Sequence, residues 1–301
     1  MNDSENAKIG KASKEEIAEK PLAGANEKLA FMSALIISSG SLIIHGDSVA
    51  VTVSTENERL ERTVRAIASE LAGGECRVTR KGKRSEIVME NALEMLCACK
   101  ILDSSNGLSV CERIADEFKN ERGAVAYIRG AYLGAGSLSA GKYHLEFSFG
   151  RRSIAEDFAE LLSRYGIAAK IAVRGTRAVV YLKESEAISD CLALMGAAKA
   201  VLSLNSIMAQ RQMSEHINRQ QNCDMHNIDK QINTGISQCA YLRELDMNAL
   251  SGTLEETARA RLEHPDYSYE QLGALLGVSK SGLKNRLRRL KEIYDDARNI
   301  R

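Results

Sequence analysis

Displacing the sequence on itself by 94 to 96 residues brings IISSGSLIIHGDSVAVTVS over YLGAGSLSAGKYHLEFSFG, with Gly40-Ser41-Leu42 on Gly136-Ser137-Leu138. The match continues at an offset of 94. Ser54 falls on Ser148, and Val64, Ile67 and Leu71 fall on Phe158, Leu161 and Tyr165. Arg80 and Lys83 fall on Arg174 and Arg177, and Cys97 on Cys191. A tandem duplication constrains the fold more than any other feature here. Both halves must adopt one unit, and two copies are too few for a stacked array.

Each half reads as a helix ending in Gly-Ser-Leu, an alternating strand (VAVTVS, HLEFSF) and an amphipathic helix, then a hairpin and a closing helix. Period-2 strands have one apolar face for helices and one polar face. The two copies therefore predict a curved antiparallel sheet with helices on one face and a polar working surface on the other. Gly130 and Gly134 lie four apart on one face of the helix that opens the second half. Glycine inside a helix costs about 0.5–1 kcal/mol relative to alanine, which close approach of a second helix would offset. Gly136 is read as that helix's C-terminal stop.

The rest of the chain has a different grammar. Only Pro21 and Pro265 occur, and Pro265 falls within TLEETARARLEHPDYSYEQLGALLGVSKSGLKNRLRRLKEI. Thr253 with Glu256, and Ser268 with Gln271, have capping-box spacing and predict two helix starts. The second helix carries Leu272, Leu275 and Leu276, breaks at Gly277 and resumes after Ser279 as N-cap; with Gly273, this predicts a helix-turn-helix. On its third helix Leu283, Leu287 and Leu290 form the inner stripe, leaving Lys280, Ser281, Lys284, Asn285 and Arg288 outward.

Net charge is only +1, so the case for a nucleic-acid partner rests on local clustering. From Lys280 to Lys291 there are six basic residues and no acidic one. A helix so placed enters the major groove. Ser279, Lys280 and Ser281 stand at its start, Lys284 and Asn285 are the candidates for base contact, and Arg286, Arg288 and Arg289 the candidates for phosphates. In the repeat, Arg80, Lys81, Lys83 and Arg84 and their counterparts Arg174 and Arg177 are candidate DNA contacts at hairpin tips.

The fold class is thus α+β, a duplicated αββ-type unit followed by an all-α helix-turn-helix. The expected division is an N-terminal helical extension (1–26), a repeat domain (27–205, halves 27–120 and 121–205), a helical polar linker (206–250) and the helix-turn-helix (251–301). The seven cysteines form no CxxC pair and read as reduced, mostly buried thiols. The charged N-terminus has no apolar core and no apolar run reaches membrane length, which predicts a cytoplasmic protein.

Two Gly-rich helices at a pseudo-two-fold, each leading into a strand, resemble the LAGLIDADG homing-endonuclease fold. On this chain the motifs are MSALIISSG (32–40) and IRGAYLGAG (128–136). The resemblance places the metal-ligand positions at Ser39 and Ala135, where the endonucleases carry carboxylates. Hard divalent cations need oxygen ligands, and a hydroxyl with a methyl group does not replace two carboxylates. His45 and Asp47 lie beyond the first motif without an acidic counterpart in the second half. The expectation is a domain with no catalytic residues, no metal and no cofactor. A degenerate repeat, a connector with Asn218, Arg219, Asn222, Cys223, Asp224, Asn227 and Lys230, and a terminal SKSGLKNRLRRL together resemble the WhiA family, transcription regulators of sporulation and cell division in Gram-positive bacteria. That resemblance implies a nucleoid-associated regulator of sporulation, cell division or chromosome segregation. Its partner would be double-stranded DNA, with RNA polymerase or a sigma factor as a further partner. The alternatives are a metal-dependent DNA endonuclease and an adaptor docking on the transcription machinery.

Overall fold

In the first half, α2 (Ala25–Ser39) runs directly into β1 (Ser41–His45), followed by β2 (Ser48–Thr55), α3 (Glu58–Ala72), β3 (Cys76–Lys81), β4 (Arg84–Met89) and α4 (Leu93–Ala98). A short pair, β5 (Leu102–Asp103) with β6 (Ser109–Val110), leads to the second half. There α5 (Glu121–Ala135), β7 (Gly136–Ser139), β8 (His144–Phe149), α6 (Arg152–Ser163), β9 (Lys170–Arg174), β10 (Arg177–Leu182) and α7 (Ser185–Met195) repeat the order. α1 (Asp3–Ala18) precedes both halves. The computed structural model describes residues 3–45, 48–72, 76–105 and 108–299; Asp47 and the side chain of His45 lie outside the described residues.

The strands are antiparallel, in two four-stranded sheets ordered β1-β2-β4-β3 and β7-β8-β10-β9. Each half keeps its own hydrogen-bonded ladder, so the sheet expected to run through both halves is two sheets. The first hairpin of each half was not foreseen beyond its second strand. SLIIH lacks polar alternation, and Ile43 and Ile44 are each 54% exposed on an edge strand.

The structural register refines the repeat. Leu42 pairs with Val51 as Leu138 pairs with Leu145, which keeps the offset at 96 on β1 and 94 on β2. At the second hairpins the glycines at positive φ, Gly82 and Gly175, are 93 apart. Lys81 and Arg84, paired across the first turn, are therefore the counterparts of Arg174 and Arg177; Arg80 and Lys83 are not. In the closing helices the buried positions Met95, Leu96 and Cys99 match Cys191, Leu192 and Met195. Left-handed Lys100 and Gly196 end the two helices alike, so Cys191 corresponds to Met95 rather than to Cys97.

What joins the halves is α2 against α5. A Cβ at Gly130 would meet the Phe31 carbonyl and, at 3.1 Å, the Ala34 Cβ; a Cβ at Gly134 would overlap the Ser38 hydroxyl and lie 2.9 Å from that of Ser39. Residues 34 and 130, and 38 and 134, are repeat counterparts at offset 96. Counterparts that face each other on successive turns require a two-fold axis running along a parallel helix pair. Gly136 does end α5, but at φ −79° its backbone is extended. The constraint there is space: a Cβ would strike the Tyr132 ring and lie 2.5 Å from the Tyr132 carbonyl oxygen.

Apolar alternation fills the core under each sheet. Val49, Val51 and Val53 of β2 and Leu145, Phe147 and Phe149 of β8 are buried. Val64 and Ile67 cover the first set, Phe158 and Leu161 the second. α1 lies on the open edge of the second sheet. The Ser13 hydroxyl is 2.7 Å from the Tyr132 hydroxyl, and Gly10 approaches so closely that a Cβ would sit 2.9 Å from the Leu138 carbonyl oxygen. The extension thus shields an edge strand whose backbone groups would otherwise be open to pairing.

The contacts divide the chain into Met1–Gln210 and Arg211–Arg301. α8 (Ala198–Leu242) is one 45-residue helix and takes in residues 206–242 of the segment read as a polar linker. Cys239 and Leu242, though, are buried in the second unit's core. Of the cysteines, Cys99, Cys191 and Cys239 are buried and Cys76, Cys97 and Cys111 half-buried, while Cys223 is exposed. Burial pushes the Cys99 thiol up to about 12. Among the described residues no cluster of three or more His, Cys, Asp or Glu could hold a metal, and no helix is long and apolar enough to cross a membrane.

Candidate nucleic-acid interface

In the second unit, α9 (Gly252–Glu263), α10 (Tyr269–Leu275) and α11 (Lys280–Asn299) follow α8. The Ser268–Gln271 capping box forms in both directions. The Thr253–Glu256 box does not: α9 starts two residues earlier, with Ser251 rather than Thr253 at the N-cap position, and Thr253 sits inside the helix, its carbonyl accepting the Thr257 hydroxyl at 2.8 Å. Gly277, at φ +65°, makes the turn. Gly273 permits a close crossing, since a Cβ there would lie 2.8 Å from the Val278 carbonyl oxygen. Ser279 caps α11 through its hydroxyl, which accepts the Gly282 N–H at 3.1 Å. Leu272, Leu283, Leu287 and Leu290 are buried, whereas Leu275 is exposed.

Arg261 fixes the turn before α10 and was not singled out from sequence. It is buried, donates to the Tyr267 carbonyl at 2.7 Å, and its guanidinium lies 5.7 Å from the Tyr269 ring centre. Burial lowers its pKa. A lone arginine in a helix reads as surface; nothing local marks one that gathers the carbonyls of a following loop.

Ser279, Lys280, Ser281, Lys284, Asn285, Arg288 and Arg289 are all exposed. Arg286 departs from the phosphate-contact expectation: it is half-buried and its Nη1 donates to the Thr257 hydroxyl at 3.4 Å, because its position on the helix turns toward α9. Lys280 pairs with Glu270 at 2.7 Å, and this hydrogen bond holds the Glu270 carboxyl below its usual range. Arg289 and Arg288 reach Glu292 at 3.1 and 3.8 Å. Lys284 lies 5.7 Å over the Tyr269 ring. The side chains of Ser281 and Asn285 have no hydrogen-bond partner among the described residues.

The hairpin cations of the repeat fall into two classes. Arg80 reaches buried Glu61 at 3.3 Å, where the Ser85 hydroxyl donates at 2.7 Å; the Ser85 bond first, then Arg80, lowers the Glu61 pKa against its desolvation. Arg174 donates to Glu146 at 2.8 Å. Arg177 is locked by Ser148, with its Nη2 also donating to the Ser38 carbonyl at the end of α2 at 2.7 Å. Lys81, Lys83 and Arg84 have no ion pair among the described residues. The expected match of available charge at both halves is therefore corrected: among the described residues, the candidate cations without an ion pair or side-chain partner lie on the first hairpin.

At the endonuclease metal-ligand positions, Ser39 and Ala135 are half-buried at the ends of α2 and α5. The Ser39 hydroxyl donates to the Leu35 carbonyl at 2.9 Å, and Ala135 has no side-chain oxygen. The donor set there does not fit a divalent cation.

Residues 124–214 match the family described as the WhiA LAGLIDADG-like domain, and residues 217–294 the WhiA C-terminal HTH domain. The chain is 34% identical over 287 residues to a protein of Thermoanaerobacter pseudethanolicus named "Probable cell division protein WhiA", covering 88% of this chain and 90% of that one. A Clostridium perfringens protein of the same name is 32% identical over 292 residues, covering 90% and 92%. The crystal structure of full-length DUF199/WhiA from Thermatoga maritima, 19% identical, superposes with a TM-score of 0.57 over 94% of this chain and 96% of that one, which shows a shared fold.

Proposed function

This chain belongs to the WhiA family, and on that premise we propose that it is a non-enzymatic, sequence-specific DNA-binding regulator acting in cell division and the sporulation and chromosome-segregation programmes tied to it. The observation that carries the reading is the exposed face of α11. It presents Ser281 and Asn285 without protein partners, flanked by Lys280, Lys284, Arg288 and Arg289, on a helix whose apolar stripe is buried against α9 and α10. Side chains so placed can form bidentate contacts with base edges while the flanking cations meet phosphates. The repeat domain keeps the architecture of a nuclease with donors that cannot hold its metals. Lys81 and Lys83 make its first hairpin tip the second contact with the DNA backbone.

The test is competition binding of the full chain on cognate and scrambled duplexes. Asn285→Ala should cost about 1–3 kcal/mol on the cognate site and spare nonspecific binding, whereas Arg289→Ala should weaken both alike. Charge reversal at Lys81 and Lys83 should lower affinity and flatten its salt dependence. An unchanged ratio of the two affinities in Asn285→Ala would remove α11 as the reader and favour an adaptor.

A further inference from the structure

The duplication gives the first unit two counterpart clefts, each between the end of a seam helix and the loop entering the next helix. One is lined by Ile37, Gly40, Leu42, Gly150, Arg151 and Ile154. It is small, about 220 Å³, and Ile36, Ile101, Val110 and Cys111 complete its lining, so its walls are mostly apolar. The other is lined at the corresponding positions by Leu133, Gly136, Leu138, Glu56, Asn57 and Leu60, and holds about 480 Å³. α1 lines it as well, bringing Lys11, Lys14 and Glu15, so that with Arg84 three cations there outnumber the two carboxylates Glu15 and Glu56.

The arginines differ in the same way. Arg177 is consumed by Ser148 and by the Ser38 carbonyl. Its counterpart Arg84 lines the larger cleft, and its side chain makes no ion pair or hydrogen bond among the described residues. Lys14 is half-buried, with its ammonium 5.6 Å over the Tyr132 ring and no ion pair among the described residues. Lys11 stays at the rim, 3.9 Å from Glu15.

We propose that this cleft between α1, the β2–α3 loop and the end of α5 binds a small phosphorylated ligand of sugar-phosphate or mononucleotide size. Lys14 and Arg84 supply two cations for a phosphate dianion. Ser54 and Ser137 line the cleft with Leu133 and Gly134 of the last turn of α5, whose carbonyls lack a helical donor, and would supply hydroxyls and carbonyls to a hydroxyl-bearing body. Leu60, Leu133 and Leu138 form the apolar floor that a ligand pocket of this volume usually has. Because α1 forms one wall and the first sheet's Arg84 another, an occupant would tie the N-terminal extension to both halves of the repeat.

Isothermal titration of the full chain with inorganic phosphate, glucose 6-phosphate and adenosine 5′-monophosphate, each against its unphosphorylated parent where one exists, tests this. At least one organic phosphate should bind measurably more tightly than its parent and than phosphate alone. Lys14→Met, which keeps the stem over Tyr132, and Arg84→Gln should each weaken that binding by about tenfold or more, as expected for loss of a charged hydrogen bond. Arg174→Gln, outside the cleft, should leave it unchanged. Absence of binding by both organic phosphates, or binding that survives Lys14→Met and Arg84→Gln, would overturn the inference. So would an effect of Arg84→Gln confined to duplex DNA, which would make the anion a backbone phosphate.

Discussion

Gly134→Ala perturbs the seam at the point where the two halves meet. The new Cβ would overlap the Ser38 hydroxyl, lie 2.9 Å from the Ser39 hydroxyl and 3.2 Å from the Leu35 carbonyl oxygen. Both hydroxyls already donate to that carbonyl, at 3.1 and 2.9 Å, so neither can swing aside without giving up its bond. Overpacking of this kind costs about 1–3 kcal/mol, against a gain of about 0.5–1 kcal/mol from replacing a helical glycine. The net is a destabilisation of about 1–2 kcal/mol. Ser38→Ala deletes the overlapping atom at the expense of a weak bond within its own helix, so alone it should be mild. In that background Gly134→Ala should lose about 1 kcal/mol of its penalty, a coupling of the size contacting residues show. Urea unfolding of the full chain, followed by far-UV circular dichroism and fitted with one transition for each unit, measures all four corners of the cycle. Gly150→Ala is the control, since a Cβ there meets nothing within 4 Å. If Gly134→Ala is as mild as Gly150→Ala, or if the two seam substitutions simply add, close helix approach is not what requires the glycine.

Arg177→Gln should destabilise the first unit by about 1.5–3 kcal/mol by removing the charged donor from the Ser38 carbonyl. Arg174→Gln, which breaks a more exposed pair, should cost under about 1 kcal/mol, and equal melting shifts for the two would contradict this division. Glu61 has a folded-state pKa below its ordinary 4.5, so its contribution is present above that value and is lost as pH falls through it toward the folded pKa. Glu61→Gln should therefore flatten the acid limb of the stability curve below about pH 4.5, and parallel acid limbs in the two proteins would refute the assignment. Magnesium or manganese should leave cognate DNA uncut by the purified chain, because Ser39 and Ala135 cannot bridge a metal to phosphate; EDTA-sensitive cleavage that co-purifies with the protein would show otherwise.

Much of this architecture was legible because its signals are local. Gly277 sits at a left-handed turn between two helices, Ser268 and Gln271 cap each other within one helical turn, and the Leu283, Leu287 and Leu290 stripe follows the helical period. The duplication could be read for the same reason: each half repeats a local grammar. The four-residue spacing of Gly130 and Gly134 marks one helix face in the same local way.

The tertiary structure decided what depends on packing across distance. Residue 134 meets residue 38, and Arg177 takes the carbonyl of residue 38, because the pseudo-two-fold brings the helix ends beside the opposite sheet. A charge pattern along the chain could not separate Arg177, consumed by that carbonyl, from Arg84, left open to a cleft. Nor could it turn Arg286 inward while leaving Asn285 out, since adjacent residues on a helix differ by about 100° and only the position of α9 says which side is covered. Sequence determined the amphipathic helices, the alternating strands and their order in each half, but not the edge strands β1 and β7 or the β5–β6 pair. Three-dimensional packing determined which polar groups are already satisfied by the protein, and so which remain for a ligand, because a hydrogen bond depends on a few tenths of an ångström that no spacing along the chain encodes.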